Sequence, residues 1–271
     1  MDVDDYRAAV FDSMKDHLNY AESKDHKIIG IFLQGSQNYN LQTEFSDVDT
    51  KAIVLPSFKS IIVQGKKTSS TLVLPNNEHC DVKDISCMYD CFTKSNINFL
   101  EILFTDFKMI NPEYQSEITE LCTHAEEIAL YDYKKLVNSI IGMAMEKRKA
   151  LTHPYPATIH KIEKYGYDGK QLHHILRLEE FLYRLEIGES FRECLKTKIR
   201  DELIPFKINP LLTVEEAIEL SDRAIVSLKR YREDSFMYKN ATQNKAVKEF
   251  LDDSMYRIME KSIIQELADA S

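Results

Sequence analysis

Asp47-Val48-Asp49 carries the plainest chemistry in this 271-residue sequence. Side chains alternate across an extended strand, so carboxylates at i and i+2 share a face, about 6.5–7 Å apart at Cα. They repel one another unless a cation stands between them. Mg2+, which takes one or two carboxylates with waters and phosphate oxygens, is the expected occupant. An isolated Asp-x-Asp is more often a solvated edge strand or an acidic turn, so the neighbouring residues have to decide.

Two further features bear on it. Gly35-Ser36 closes the apolar run Lys27–Gln34, and ten residues lie between Ser36 and Asp47. A glycine there lets backbone approach a ligand, and a Ser36 that opens a helix would turn its N–H and hydroxyl towards an anion. In His79-Cys80-Asp81-Val82-Lys83-Asp84-Ile85, Cys80 and Val82 form an apolar face, with Asp81 and Lys83 on the other. Asp81 is therefore expected to join Asp47 and Asp49 across neighbouring strands. Asp84 has the wrong parity and reads as the N-cap of a helix beginning near Ser86. In this scheme one ion binds a triphosphate through Asp47 and Asp49. A second, bridged by Asp81, lowers the pKa of an attacking hydroxyl, with Asp81 as general base or holding its place.

The elements that must position these residues follow from periodicity. Residues 4–23 read as an amphipathic helix, 27–34 and 47–55 as strands, and 71–74 with 79–85 as a hairpin about Pro75-Asn76-Asn77. From Ser86 onward the period is helical: 86–95, 98–104, 113–122, 132–151, 158–166, 169–187, 190–203, 213–232 and 244–268. Pro154 and Pro156 interrupt the series, as do Pro205 and Pro210. The expected architecture is an α/β (α+β) domain with a mixed sheet over residues 1–125, then an all-helical domain over 126–271. Only seven glycines and seven prolines agree with a helix-rich chain.

Charge is unevenly placed. Residues 1–125 hold 11 Lys and Arg against 19 Asp and Glu, which is most of the net −9. An acidic half repels a polyanion, which excludes non-specific DNA coating. Residues 147–177 are locally basic, with seven Lys and Arg against two acids. The five cysteines show neither a zinc spacing nor an even disulfide set. No apolar leader and no run of 18 apolar residues occurs, so a cytoplasmic protein without membrane partners is expected.

Gly35-Ser36, Asp47-x-Asp49 and a later lone Asp81 together resemble the DNA-polymerase-β-like nucleotidyltransferase superfamily. The string GSQNYNLQTEFSDVDTK is similar to the RlaP/YcgL-type nucleotidyltransferases of bacteria and phages, found near RNA-repair genes. NINFLEILF (96–104) and GYDGKQLHHILRL (166–178) look like later blocks of that family. The resemblance spans roughly residues 28–188. It implies a nucleotidyltransferase domain with helices on one side of its sheet, followed by a helical domain. It also implies Gly35 and Ser36 on the β- and γ-phosphates of an NTP, and two Mg2+ (or Mn2+) on Asp47, Asp49 and Asp81. An acceptor hydroxyl then takes the NMP and pyrophosphate leaves.

Further residues outside the motif have types and spacing that could support it. Lys170, His174 and Arg177 fall at i, i+4 and i+7 on helix 169–187 and form one stripe, read with the family-like block as phosphate-contacting. Lys83 either pairs with the carboxylates or reaches a phosphate. Glu101 either orders the site or is an exposed helix residue. Tyr39 is a packing aromatic before it is a base-stacking one, and His173 belongs to packing or surface. Lys147, Arg148, Lys149, Lys161 and Lys164 either meet an acceptor nucleic acid or form a charged helix surface. The acceptor is expected to be an RNA end, with a protein side chain, as in antitoxin-like transferases, the main competitor. A non-catalytic nucleotide- or RNA-binding module is the alternative outside the enzyme class. Helix 244–268 offers a further alternative, as an interface in an oligomer or larger assembly.

Overall fold

The computed structural model describes residues 3–44, 46–65, 67–208 and 211–270. Phe45 of the acidic motif and the helix break at Pro210 lie outside them. By its contacts the chain forms two units. The first comprises Met1–Asn38, Gln42–Tyr131 and Asn244–Ser271, and the second Tyr39–Leu41 and Asp132–Gln243. The last helix thus belongs with the N-terminal unit, which two consecutive domains would not provide for.

The first unit is built on a five-stranded mixed sheet. Helix α1 (Val3–Glu22) leads into β1 (Lys27–Gln34), followed by β2 (Asp49–Leu55), β3 (Ser69–Val73) and β4 (His79–Asp84). Helices α2 (Ile85–Thr93) and α3 (Ile97–Leu100) precede β5 (Lys108–Ile110), and α4 (Gln115–Thr123) and α5 (Ala125–Leu130) follow it. The strand order is β3-β4-β2-β1-β5. The β2–β4 pair is parallel and the others are antiparallel. One face is apolar: Ile31, Leu33, Ala52, Val54, Cys80 and Val82 pack with Val10 and Met14 of α1. The alternation that buries those residues turns Gln34, Asp49, Lys51, His79 and Asp81 to the opposite face. Asp84 caps α2 as expected, its carboxylate accepting from the Ser86 N–H at 2.8 Å.

The C-terminal helix, here α13, spans Lys245–Asp269. It buries Val247, Leu251 and Ile258. Arg257 meets Glu120 at 2.7 Å and Lys261 meets Glu117 at 2.9 Å, both acids on α4. One face of α13 is therefore covered by its own chain, while Tyr256 and Ile264 are exposed.

The second unit is helical: α6 (Tyr133–Ala150), α7 (Ile159–Tyr165), α8 (Gly169–Glu186), α9 (Phe191–Leu195), α10 (Arg200–Ile208), α11 (Val214–Asp234) and α12 (Phe236–Asn240). Helix α8 presents Leu172, Ile175, Leu178, Phe181 and Leu182 to the core, all fully buried. Capping boxes at Ser190/Glu193 and Thr213/Glu216 start α9 and α11. The expected helix 190–203 is two helices, and Pro205 lies inside α10 rather than ending it. Its missing N–H removes one bond from a short helix whose Leu203 is anchored in the core. Across the described residues no helix is long and apolar enough to cross a membrane.

Candidate functional site

The site begins where β1 ends. Gly35 has φ +90°, a left-handed conformation that disfavours any residue with a Cβ. Residues 36–40 form turns, so Ser36 does not open a helix as expected and has no helix dipole behind it. The turn is closed by the Asn38 N–H on the Gly35 carbonyl at 3.0 Å. It is also held from below by Glu101, which is 2% exposed and so not the surface residue that one reading allowed. Its Oε2 accepts from the Gly35 N–H at 3.2 Å and from Asn38 Nδ2 at 3.0 Å. Glu101 orders the turn, and the Gly35 N–H is directed at that carboxylate.

Asp47 lies just before β2 and Asp49 is its first residue. Donor atoms of Asp47, Asp49 and His79 all lie within 4.8 Å of one another, a set that could hold a metal ion. The His79 N–H donates to Asp49 Oδ1 at 3.2 Å, and its Nδ1 lies 3.4 Å from the same oxygen. Glu78 fixes the segment between the two aspartates: its Oε1 accepts from the Val48 N–H at 3.0 Å. Its Oε2 accepts from Ser13 at 2.6 Å, Asn76 at 2.8 Å and His17 Nε2 at 3.0 Å. Burial raises the Glu78 pKa, but these bonds outweigh it and hold the carboxyl below its ordinary range. His17 is fully buried, with Nδ1 2.7 Å from the Thr50 hydroxyl oxygen of β2.

Asp81 shares the face of Asp49 but is not in that donor cluster. Its Oδ1 accepts from the Thr71 hydroxyl at 2.5 Å and its Oδ2 from Gln34 Nε2 at 3.3 Å. Lys51 Nζ stands 3.8 Å from Oδ2. Burial raises the Asp81 pKa, yet Thr71, Lys51 and Gln34 together lower it, which makes the carboxylate a weak proton acceptor. Lys51 is 4% exposed, donates to Gln34 Oε1 at 2.6 Å and lies 4.7 Å from the Phe99 ring centroid. Burial pushes its pKa down, and Glu101 and Asp81 oppose that shift. Lys83 donates to Ser69 Oγ at 2.9 Å on the neighbouring strand.

In the second unit, Arg177 is 2% exposed and not on a solvated face. Its guanidinium carbon sits 3.9 Å from the ring centroid of Tyr39, itself 4% exposed, so this ring is packed against a cation rather than open to a base. Arg177 Nε and Nη1 and both ring nitrogens of His173 have no hydrogen-bond partner among the described residues. Burial, with Arg177, Lys207 and Lys170 nearby, pushes His173 down to about 3. His174 is also lowered, by burial first and then by His173, Arg177, Lys147 and Lys170. Lys170 is exposed, and Lys147 on α6 is lowered by burial and by Lys170 and Arg177. The stripe is a half-buried cationic cluster.

No family model matches the chain, and no curated protein matches it. Among solved structures, it is similar to the crystal structure of a nucleotidyltransferase-like protein from Exiguobacterium sibiricum. That likeness has a TM-score of 0.31 at 11% identity, over 83% of this chain and 76% of the other. At that level it carries no argument about activity.

Sequence reasoning missed His79, Glu78, His17 and Lys51. The signal for two of them was present. His79 precedes Asp81 by two residues and Lys51 follows Asp49 by two, so each had the parity of the acidic face. Glu78 and His17 act through the fold and left no pattern to read.

Two carboxylates and an imidazole within 4.8 Å suit one divalent cation, with Mn2+ better matched to the nitrogen donor than Mg2+. Asp81 lies outside this donor set, and each of its oxygens accepts one hydrogen bond from a neighbouring side chain.

Proposed function

We propose that this chain is a divalent-metal-dependent nucleotidyltransferase of the polymerase-β-like superfamily, moving an NMP from an NTP to an acceptor hydroxyl. The observation that carries this reading is the joining of a Gly35-Ser36 turn to a neighbouring antiparallel strand headed by Asp49. There Asp47 and Asp49 converge with a third donor. A cation bound by them would neutralise the phosphates and favour the hydroxyl as its alkoxide. The chain's own groups orient the reactants. Gly35 and Ser36 border the phosphates, Glu101 fixes the turn, and Glu78 keeps Asp47 and Asp49 in register. The acceptor oxygen attacks the α-phosphorus in line, the bond to the bridging oxygen breaks, and pyrophosphate leaves. Positioning and charge neutralisation supply most of the rate in such a transfer.

Asp81 is the third acidic group of the site, and Lys83, Lys170, His174 and Arg177 are read as phosphate contacts. The Arg177 N–H groups without partners support that assignment. His174, held neutral, can donate a hydrogen bond but no charge. An RNA end is the favoured acceptor, on the strength of the basic segment 147–177 and the resemblance to a family found near RNA-repair genes, and a cytoplasmic location goes with this reading.

The test is incubation with each α-32P-labelled NTP, Mn2+ or Mg2+, and a panel of RNA 5′ and 3′ ends, proteins and lysate. Label in RNA supports the favoured acceptor, and label in protein supports the antitoxin-like alternative. Bound NTP with no transfer to anything, the chain itself included, assigns a binding module.

A further inference from the structure

The charged face of the sheet is laid out in two rows, and they are occupied differently. Asp49 is the cross-strand partner of Gln34, and it stands one position before the Thr50–Cys80 pair, level with His79. The second row lies two residues further into the strands. There Phe32 pairs with Lys51, Lys51 with Asp81, and Asp81 with Thr71. Two residues of strand advance about 6.5–7 Å. A cation centred on the outer row therefore meets His79, in register with Asp49, before it meets Asp81.

The inner row already contains its positive charge. The Lys51 ammonium is buried between Gln34, the Phe99 ring and Asp81, with Glu101 as its largest electrostatic support. A buried ammonium is costly unless carboxylates offset that cost, and these two act in that direction. Thr71 and Gln34 fix the Asp81 oxygens beside this partner, outside the Asp47, Asp49 and His79 donor set.

We propose that the chain holds one divalent cation, on Asp47, Asp49 and His79, and that the Lys51 ammonium is the second positive charge of the site. Asp81 then serves as the counter-ion that positions Lys51, not as a metal ligand. This rests on the nucleotidyltransferase reading and replaces its two-ion form with one ion and one lysine. The imidazole ligand also ranks Mn2+ above Mg2+ in affinity.

The test is Mn2+ uptake by the purified full chain without nucleotide, read from loss of the EPR signal of the hydrated ion. Wild type is expected to take up one Mn2+ and to bind Mg2+ more weakly in competition. His79→Ala, at a side chain 46% exposed, is expected to fold and to lose affinity about tenfold or more. Asp81→Asn, which keeps the shape of the side chain, is expected to leave the affinity where it was. In Lys51→Met, Asp81 loses its counter-ion and a second Mn2+ is expected. Should that variant fail to fold, the contrast between His79→Ala and Asp81→Asn decides alone. Loss of affinity in Asp81→Asn but not in His79→Ala, or two ions in wild type, would overturn the proposal while leaving the nucleotidyltransferase reading intact. A wild type that binds no Mn2+ would instead remove the metal-dependent reading on which both stand.

Discussion

The two units handle buried charge in opposite ways. On the sheet of the first unit, Lys51 lies beside Asp81 and Gln34, Glu101 accepts from a backbone turn, and Glu78 accepts four hydrogen bonds. On α8 of the second, Arg177 and His173 are as deeply buried, yet four of their nitrogens have no partner among the described residues. A polar group buried without a partner costs free energy that a paired one does not. The charged groups of the sheet face are thus paired with one another, whereas on α8 these four nitrogens keep unused hydrogen-bonding capacity.

Substitutions can break or sharpen that contrast. The largest effect is expected from Asp49→Asn, which removes a charged donor from the converging set. Transfer should fall by orders of magnitude and Mn2+ uptake should be lost, with the thermal melt little changed. The next compares one buried cation in each unit. Lys51→Met strands Asp81 and Glu101 without their cation and should cost about 3–5 kcal/mol in urea unfolding. Arg177→Met removes a charge that no carboxylate among the described residues is seen to pair with, though it stacks on Tyr39, and should cost less than about 1.5 kcal/mol or add stability. Pyrophosphate should raise the melting temperature of wild type and leave that of Arg177→Met unmoved. Equal costs in the two variants would end the contrast.

Glu78→Gln should act more mildly. It keeps the side chain's shape but replaces one accepting oxygen with an N–H₂, disturbing the clamp on Val48 or on His17. Mn2+ affinity should drop about tenfold with the second unit's melt unaffected. The smallest effect is a pH slope. His173 is held at about 3 in the folded chain against 6.5 unfolded, so the unfolded state binds the extra proton between those values. The stability this gives is fully present above pH 6.5 and falls as the pH drops towards 3, by at most about 1.4 kcal/mol per pH unit. His173→Phe should flatten that slope between pH 6.5 and 5 in thermal melts, and an unchanged slope would assign it to other groups.

Much of the first unit was legible because parity is a local property. The alternation in Asp47–Leu55 and His79–Ile85 placed Asp49 and Asp81 on the same face, and Asp84 at a helix start. Register is not local. That Asp81 falls opposite Lys51, one row inside Asp49, follows from a parallel pairing between strands some thirty residues apart, and nothing in either strand alone encodes it. Strand β5, three residues long, had no periodicity to detect. On α8 the reverse happened. Spacing put Lys170, His174 and Arg177 on one stripe, read as phosphate-contacting, but it could not show that Arg177 is buried. Burial of Arg177 depends on Tyr39, far away in sequence, which stacks against its guanidinium. Polar residues on a helix reveal their spacing from sequence, and their burial only from the fold.

The central claim is that Asp47 and Asp49 support nucleotidyl transfer, and pyrophosphate release tests it most directly. Wild type with Mn2+, an NTP and the acceptor that becomes labelled should release one pyrophosphate per nucleotide transferred, and Asp49→Asn should release none above background while still binding the NTP. Release that persists undiminished in Asp49→Asn, or wild type that binds NTP and never releases pyrophosphate, would contradict the account.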